Sequence, residues 1–274
     1  IAPSFEMAIM KAVRGAEISL DTLNAKPLDK RDVLERLKDC NDRRLFTVFE
    51  ALKKSVAVDT IFDITRIDRF FLYKLKNLAD FEIHLEKDGL CDGDYEKAKK
   101  LGYTDKAIMR LSGAKTLPES TAVYKMVDTC GAEFDAETPY FYSTYDAECE
   151  ARAFKNSGKK KIMVLGSGPI RIGQGIEFDY SSVHCVWNLK QQGYEVIIVN
   201  NNPETVSTDY DTADKLYFEP LTEEDVMNII KAENPEGVVV AFGGQTAIKL
   251  TKFLDENGIK ILGTSAESID TARI

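Results

Sequence analysis

Ile162-Met-Val-Leu-Gly-Ser-Gly-Pro-Ile-Arg-Ile-Gly-Gln-Gly175 is the stretch whose reading decides the fold. Four apolar residues in a row, then glycines, then a helical pattern over Phe178–Gln192 spell a buried strand, a tight turn and a helix. The pattern repeats downstream. Strands are expected at Val196–Val199, Lys215–Phe218, Val238–Phe242 and Ile259–Leu262, with helices at Glu223–Ala232 and Thr246–Asn257. Short apolar strands alternating with helices require a parallel sheet covered on both faces. This half is α/β, with a Rossmann-like sheet.

The other half is helical. Ser4–Ile18 carries apolar residues at helical spacing behind a capping serine. Helices are also expected over Lys30–Asp39, Asp42–Ser55 and, as one long element with Thr65 as a candidate cap, Asp63–Leu85. Asp94–Leu101 and Thr104–Ser112 follow, each closed by a glycine. Residues 116–157 are aromatic without helical period and read as an irregular, well-packed connector; Lys155–Lys161 reads as a solvated linker.

The glycine turn needs separate weighing. Gly166 and Gly168 allow a sharp turn and present amides near a helix start, where an anion is favoured. A dinucleotide fingerprint requires a third glycine three residues after the second, and Arg171 stands there. It also requires an acidic end to the second strand, and Asn200-Asn201-Asn202-Pro203 stands there. Nicotinamide binding fails on both counts, while a turn that serves only packing stays open. Gln245 follows Gly243-Gly244 at the carboxyl end of a strand, where α/β sheets place ligand groups, or else it caps its helix. Glu177 suits a helix start, where a carboxylate complements the dipole.

Composition removes several function classes. The net charge of −9 argues against a nucleic-acid partner, although Asp94–Leu101 and Thr104–Ser112 have helix-turn-helix spacing. Five cysteines without CxxC spacing, and only His84 and His184, suggest reduced thiols, a cytoplasmic setting and no zinc site. No apolar run approaches membrane-spanning length. The start, Ile1-Ala-Pro-Ser, and the end, Ile269-Asp-Thr-Ala-Arg-Ile274, both read as cut, so an internal piece of a longer chain is expected.

Longer strings carry a family resemblance. Ile162–Tyr180, Val199-Asn-Asn-Asn-Pro-Glu-Thr-Val-Ser-Thr-Asp-Tyr-Asp211, Tyr217-Phe-Glu-Pro220 and Phe242-Gly-Gly-Gln-Thr246 resemble the opening of the second synthetase half of carbamoyl phosphate synthetase large chains. Ile64-Thr-Arg-Ile-Asp-Arg-Phe-Phe-Leu72 and Tyr124–Phe134 resemble the oligomerisation domain before it. The resemblance covers essentially the whole chain. It implies the end of the first half in residues 1–20, an all-α oligomerisation domain with its connector in 21–157, and a pre-ATP-grasp α/β domain in 158–274.

The same resemblance implies a parent ligase that makes carbamoyl phosphate from bicarbonate, glutamine-derived ammonia and two ATP, for arginine and pyrimidine synthesis. ATP and Mg²⁺ or Mn²⁺ would sit in ATP-grasp domains outside these residues, so the piece is expected to hold no catalytic residue, metal or cofactor and to be silent alone. Its expected partners are a glutaminase small chain and, through residues 21–150, further copies of itself. Glu177 and Glu204 match acidic positions along a carbamate passage, where a buried carboxylate would have a raised pKa. Gly173 and Gly175 would keep the loop backbone close to that passage, and Arg171 would contact a phosphate or a carboxylate. Asp209 and Asp211 read as loop hydrogen-bond acceptors or as passage lining. The alternative is a scaffold or oligomerisation module that takes no ligand.

Overall fold

The computed structural model describes residues 1–145, 148–154, 157–169 and 175–271. The chain divides into two compact units, Ala2–Ser120 and, apart from Ile1, Thr121–Ile274.

The first unit contains, among the described residues, α1 (Phe5–Gly15), α2 (Val33–Arg36), α3 (Arg44–Lys53), α4 (Val58–Thr65), α5 (Arg69–Asp88), α6 (Asp94–Leu101) and α7 (Asp105–Ser112). Ser4 caps α1 as its sequence suggests, Oγ accepting from the Met7 N–H at 3.2 Å. The single helix expected over Asp63–Leu85 is in fact two. Thr65 donates its hydroxyl to the Ile61 carbonyl instead of capping, Arg66 turns left-handed at φ 57°, and the Asp68 carboxylate caps the restart by accepting from the Phe70 N–H at 2.8 Å. Apolar spacing runs through that break, which hid it. Lys30–Asp39 shrinks to the single turn of α2, opened by the Asp32 cap.

Met10 and Val13 of α1, Val48, Phe49 and Leu52 of α3, and Leu72, Leu75, Leu78 and Leu85 of α5 share one core. α1 is thus packed into the helical body. Within this core the fully buried Glu82 accepts from Asn24 (2.5 Å), Lys53 (3.0 Å) and the Tyr103 hydroxyl (3.3 Å). Burial pushes its carboxyl up, against the pull of Asn24 and Lys53.

The second unit runs β1 (Val123–Met126), β2 (Tyr140–Thr144), α8 (Glu150–Ala153), β3 (Lys161–Leu165), α9 (Gly175–Gln191), β4 (Glu195–Asn200), β5 (Lys215–Phe218), α10 (Glu223–Glu233), β6 (Gly237–Val239), α11 (Gly244–Ile248), α12 (Thr251–Glu256), β7 (Ile261–Leu262) and α13 (Ala266–Thr271). The sheet order is β1-β2-β5-β4-β3-β6-β7, parallel throughout except for the antiparallel β1–β2 pair. Alternate residues of β3 and β4 feed opposite faces, as a period of two requires. Met163, Leu165, Ile197 and Val199 join α10 and α12 on one side; Ile162, Val164, Val196 and Ile198 join Val186 of α9 on the other.

Two expectations change here. The supposed irregular connector supplies β1 and β2 and belongs to the second compact unit, which begins at Thr121. Its aromatics are sheet residues: buried Tyr124 and Phe141 lie against Tyr217 of β5, with ring centroids 4.9 and 5.5 Å away. The helix expected over Thr246–Asn257 is α11 and α12, broken where Leu250 N–H bonds Ala247 O, three residues back.

A buried ionic cluster ties the layers together. Glu233, the last residue of α10, accepts from Lys161 of β3 (2.5 Å), Lys215 of β5 (2.9 Å) and the Tyr217 hydroxyl, and Lys215 also reaches Ala151 O in α8 (2.8 Å). Burial pushes the Glu233 carboxyl up, but these donors outweigh it and hold it below its ordinary value. A depressed carboxyl stabilises the fold above the ordinary carboxylate range, and that contribution disappears as pH falls through the native value. Glu233→Gln strands a buried lysine and should cost about 3–5 kcal/mol at neutral pH. Urea unfolding followed by the single tryptophan, Trp187 of α9, reads this unit. The gap between parent and variant should narrow on acidification.

Candidate active-site wall

Strand order defines the site. From β3 the chain moves to its neighbour β4 and on to β5, then crosses back to β6 on the other side of β3. Loops leaving β3 and β6 therefore diverge at a topological switch point, where open α/β sheets form their ligand crevice.

At this point the backbones are packed with no room to spare. Gly166 N donates to Val199 O at 2.9 Å, and a Cβ on Gly166 would stand 2.6 Å from Asn200 Cγ. A Cβ on Gly243, beyond β6, would stand 2.5 Å from Gly166 O. Gly168 has φ +72°, a left-handed conformation that glycine adopts without penalty. Asn200 organises the turn: buried to 1% exposure, it accepts through Oδ1 from Gly168 N and Asn201 N, both at 3.0 Å. Its Nδ2 has no hydrogen-bond partner among the described residues.

A second contact joins the start of α9 to the loop after β4. The Asp179 carboxylate accepts from Val206 N (3.0 Å) and Ser207 N (3.1 Å). Buried Thr205, Ser207 and Thr208 close that loop with hydroxyl–hydroxyl contacts of 3.1 and 3.2 Å.

Glu177 lies in the first turn of α9, as a carboxylate at a helix start should, and is exposed. Glu204 is also exposed, its N–H donating to Asn202 Oδ1 at 2.9 Å. Neither carboxylate is enclosed by the described residues. Both nevertheless stand on one edge, because Asp179 two residues after Glu177 is bonded to Val206 two residues after Glu204. Gln245 is exposed and occupies the second position of α11, not its cap. Gly175 opens α9. Arg171 and Gly173 lie outside the described residues. Asp209 and Asp211 are exposed, and the Asp209 carbonyl accepts from Thr212 N at 3.1 Å, a loop role.

Sequence reasoning missed Asp179 and Asn200. Asn200 entered it only as the wrong residue for a ribose, and nothing in the spacing of Asp179 announces a bond 27 residues downstream.

Two family descriptions match the chain. Residues 158–271 match the carbamoyl phosphate synthase preATP-grasp domain, and residues 1–127 match the oligomerisation domain of the carbamoyl-phosphate synthetase large chain. A carbamoyl phosphate synthase large chain from Lachnoclostridium phytofermentans is 50% identical over 285 aligned residues. The alignment takes in 99% of this chain and 26% of that relative, so the chain spans about a quarter of its length.

Hydrogen bonds to an ionised group contribute about 1.5–3 kcal/mol each. Asp179→Ala should therefore raise amide exchange at Val206 and Ser207 by about tenfold or more while leaving the β3 and β4 amides slow. Hydrogen exchange resolved by residue checks this.

Proposed function

We propose, for a chain that belongs to the carbamoyl phosphate synthase large-chain family, that its α/β unit walls a carbamate passage and the second synthetic active site, while its helical unit joins subunits. The observation that carries this reading is the shared edge: Glu177, Glu204, Gln245 and the glycine turn all leave the carboxyl ends of parallel strands at the switch point. The parent reaction joins bicarbonate, ammonia from glutamine and two ATP into carbamoyl phosphate. In this reading ATP, Mg²⁺ or Mn²⁺ and the glutaminase small chain engage parts of the parent beyond these residues, and the assembly works in the cytoplasm.

The wall's chemistry follows from charge. A carbamate anion meeting a fixed carboxylate at about 4 Å is repelled by roughly 4 kcal/mol at an effective dielectric of 20. Glu177 and Glu204 therefore suit neutral carbamic acid, whose O–H and N–H groups donate to carboxylate oxygens. Asn200, buried behind the turn, fixes the loop backbone through Gly168 N and Asn201 N. Glycine at the turn keeps side chains out of the way, and the close-packed loops limit water, which would hydrolyse the intermediate.

The helical unit accounts for assembly without any ligand, and its match to an oligomerisation domain supports that role. Among the described residues no helix is long and apolar enough to cross a membrane.

The 274-residue chain should turn over no ATP and should self-associate at micromolar concentration in light scattering. In the full-length enzyme, Asn200→Ala should loosen the turn, leaving bicarbonate-dependent ATP hydrolysis running while carbamoyl phosphate formation falls about tenfold, the equivalent of one lost hydrogen bond. ATP turnover by the short chain, or full coupling in the variant, would overturn the reading.

A further inference from the structure

The turn joining α5 to α6 gathers side chains that the reading above does not use. His84 sits one turn before the end of α5, Cys91 lies in the turn, and Asp94 is the first residue of α6. One ligand-type atom from each lies within 4.8 Å of the others. We propose that these three residues bind one zinc-class divalent cation, through His84 Nε2, Cys91 Sγ and the Asp94 carboxylate.

Three features of the turn support a built site. The first is the arrangement of hydrogen bonds around Asp94: its Oδ2 accepts from Cys91 N at 3.0 Å, which folds the turn so that the thiol comes back toward the imidazole. The second is the opposite ring nitrogen. His84 Nδ1 lies 3.1 Å from Asp88 Oδ2, one helical turn on. A carboxylate on the second nitrogen is the usual partner of a metal-binding histidine; it holds the proton on Nδ1 and leaves the Nε2 lone pair for the metal. The third is the 2.8 Å contact between Nε2 and Asp94 Oδ2. With Nδ1 protonated toward Asp88, this contact is a hydrogen bond when Nε2 carries a proton as well. In the free protein a proton on Nε2 makes that bond to the Asp94 carboxylate. A metal ion can take its place.

The donor set selects the ion. A thiolate, an imidazole and a carboxylate together suit zinc and its neighbours, whereas magnesium and calcium require oxygen ligands throughout. Zinc ligands stand about 2.0–2.3 Å from the ion, hence roughly 3.3–3.8 Å apart in a tetrahedron. Reaching that range opens the Nε2–Oδ2 contact from 2.8 Å and turns in Cys91, which is exposed and free of disulfide. Binding releases the thiol proton and the imidazolium proton to solvent, and water completes the fourth position. Sequence spacing gave no sign of the cluster because the cysteine and the histidine are not in a recognised zinc pattern.

The test uses the reduced, metal-free chain titrated with Co²⁺ and, against a chromophoric chelator, with Zn²⁺. One equivalent of Co²⁺ should bind with a thiolate-to-metal absorption band. Cys91→Ser and His84→Gln should abolish the band. Cys40→Ser, at the other exposed thiol, should keep it. Asp88→Asn should keep the band and weaken Zn²⁺ about tenfold or more, a readout that a purely structural carboxylate would not move. Far-UV circular dichroism confirms that each variant is folded. No band at one equivalent, or a band that survives Cys91→Ser, overturns the proposal and leaves His84 as an ionic link between two helices.

Discussion

No side-chain carbon fits between the loops that leave β3 and β6, and the shape of the site follows from that. The backbone oxygen of Gly166 and the α-carbon of Gly243 approach until a methyl group on Gly243 would overlap it at 2.5 Å. On the other flank the amide of Asn200 occupies the space that a Cβ on Gly166 would need. The crossing from β5 back to β6 is thereby closed at its base. What remains at the switch point is a rim, and the rim is where Glu177, Glu204 and Gln245 emerge.

So tight an approach demands a sheet that does not shift. Overpacked or displaced backbones cost of the order of a few kcal/mol, so the strands beneath the loops must hold their register. Glu233 does part of this work by binding β3 and β5 through two lysines and a tyrosine at the opposite end of the layer. Lys215 extends the same cluster to α8. β1 and β2 then continue the sheet beyond β5 with edge-on and tilted aromatic contacts. An ionic cluster of this kind confers little net stability compared with apolar packing, but it is intolerant of losing one member. Its value lies in fixing one arrangement.

The legible parts of the sequence were local. Strands β3, β4 and β5 and helices α6, α7 and α10 stand where hydrophobic period and capping residues put them, within a few residues. Elements whose boundaries depend on a bond rather than a period were misplaced: the apolar stripe of Asp63–Leu85 continues through the left-handed Arg66, and β1 and β2 carry too few residues to show alternation. At the site, the glycine turn and its failure as a dinucleotide fingerprint were readable from spacing. Asn200 and Asp179 were not, because each acts on backbone amides far away in sequence. His84, Cys91 and Asp94 were invisible for a related reason: a helix end, a turn and a helix start bring them together, and only the break at Gly89 fixes that geometry.

The acidic residues at the rim divide by what the fold already asks of them. Asp179 spends both carboxylate oxygens on Val206 and Ser207, so no ligand can use it without releasing the loop. Among the described residues, no hydrogen bond or ion pair engages the carboxylate of Glu177 or Glu204, and both are exposed. A carboxylate at a helix start gains only a few tenths of a kcal/mol to about 1 kcal/mol from the dipole. That is too little to make Glu177 a structural requirement, and Glu204 lacks even that. Their freedom is what a substrate-facing role needs, and Asp179 holds the two segments that present them. In the proposed wall, one acid would keep the shape and two others would offer the chemistry.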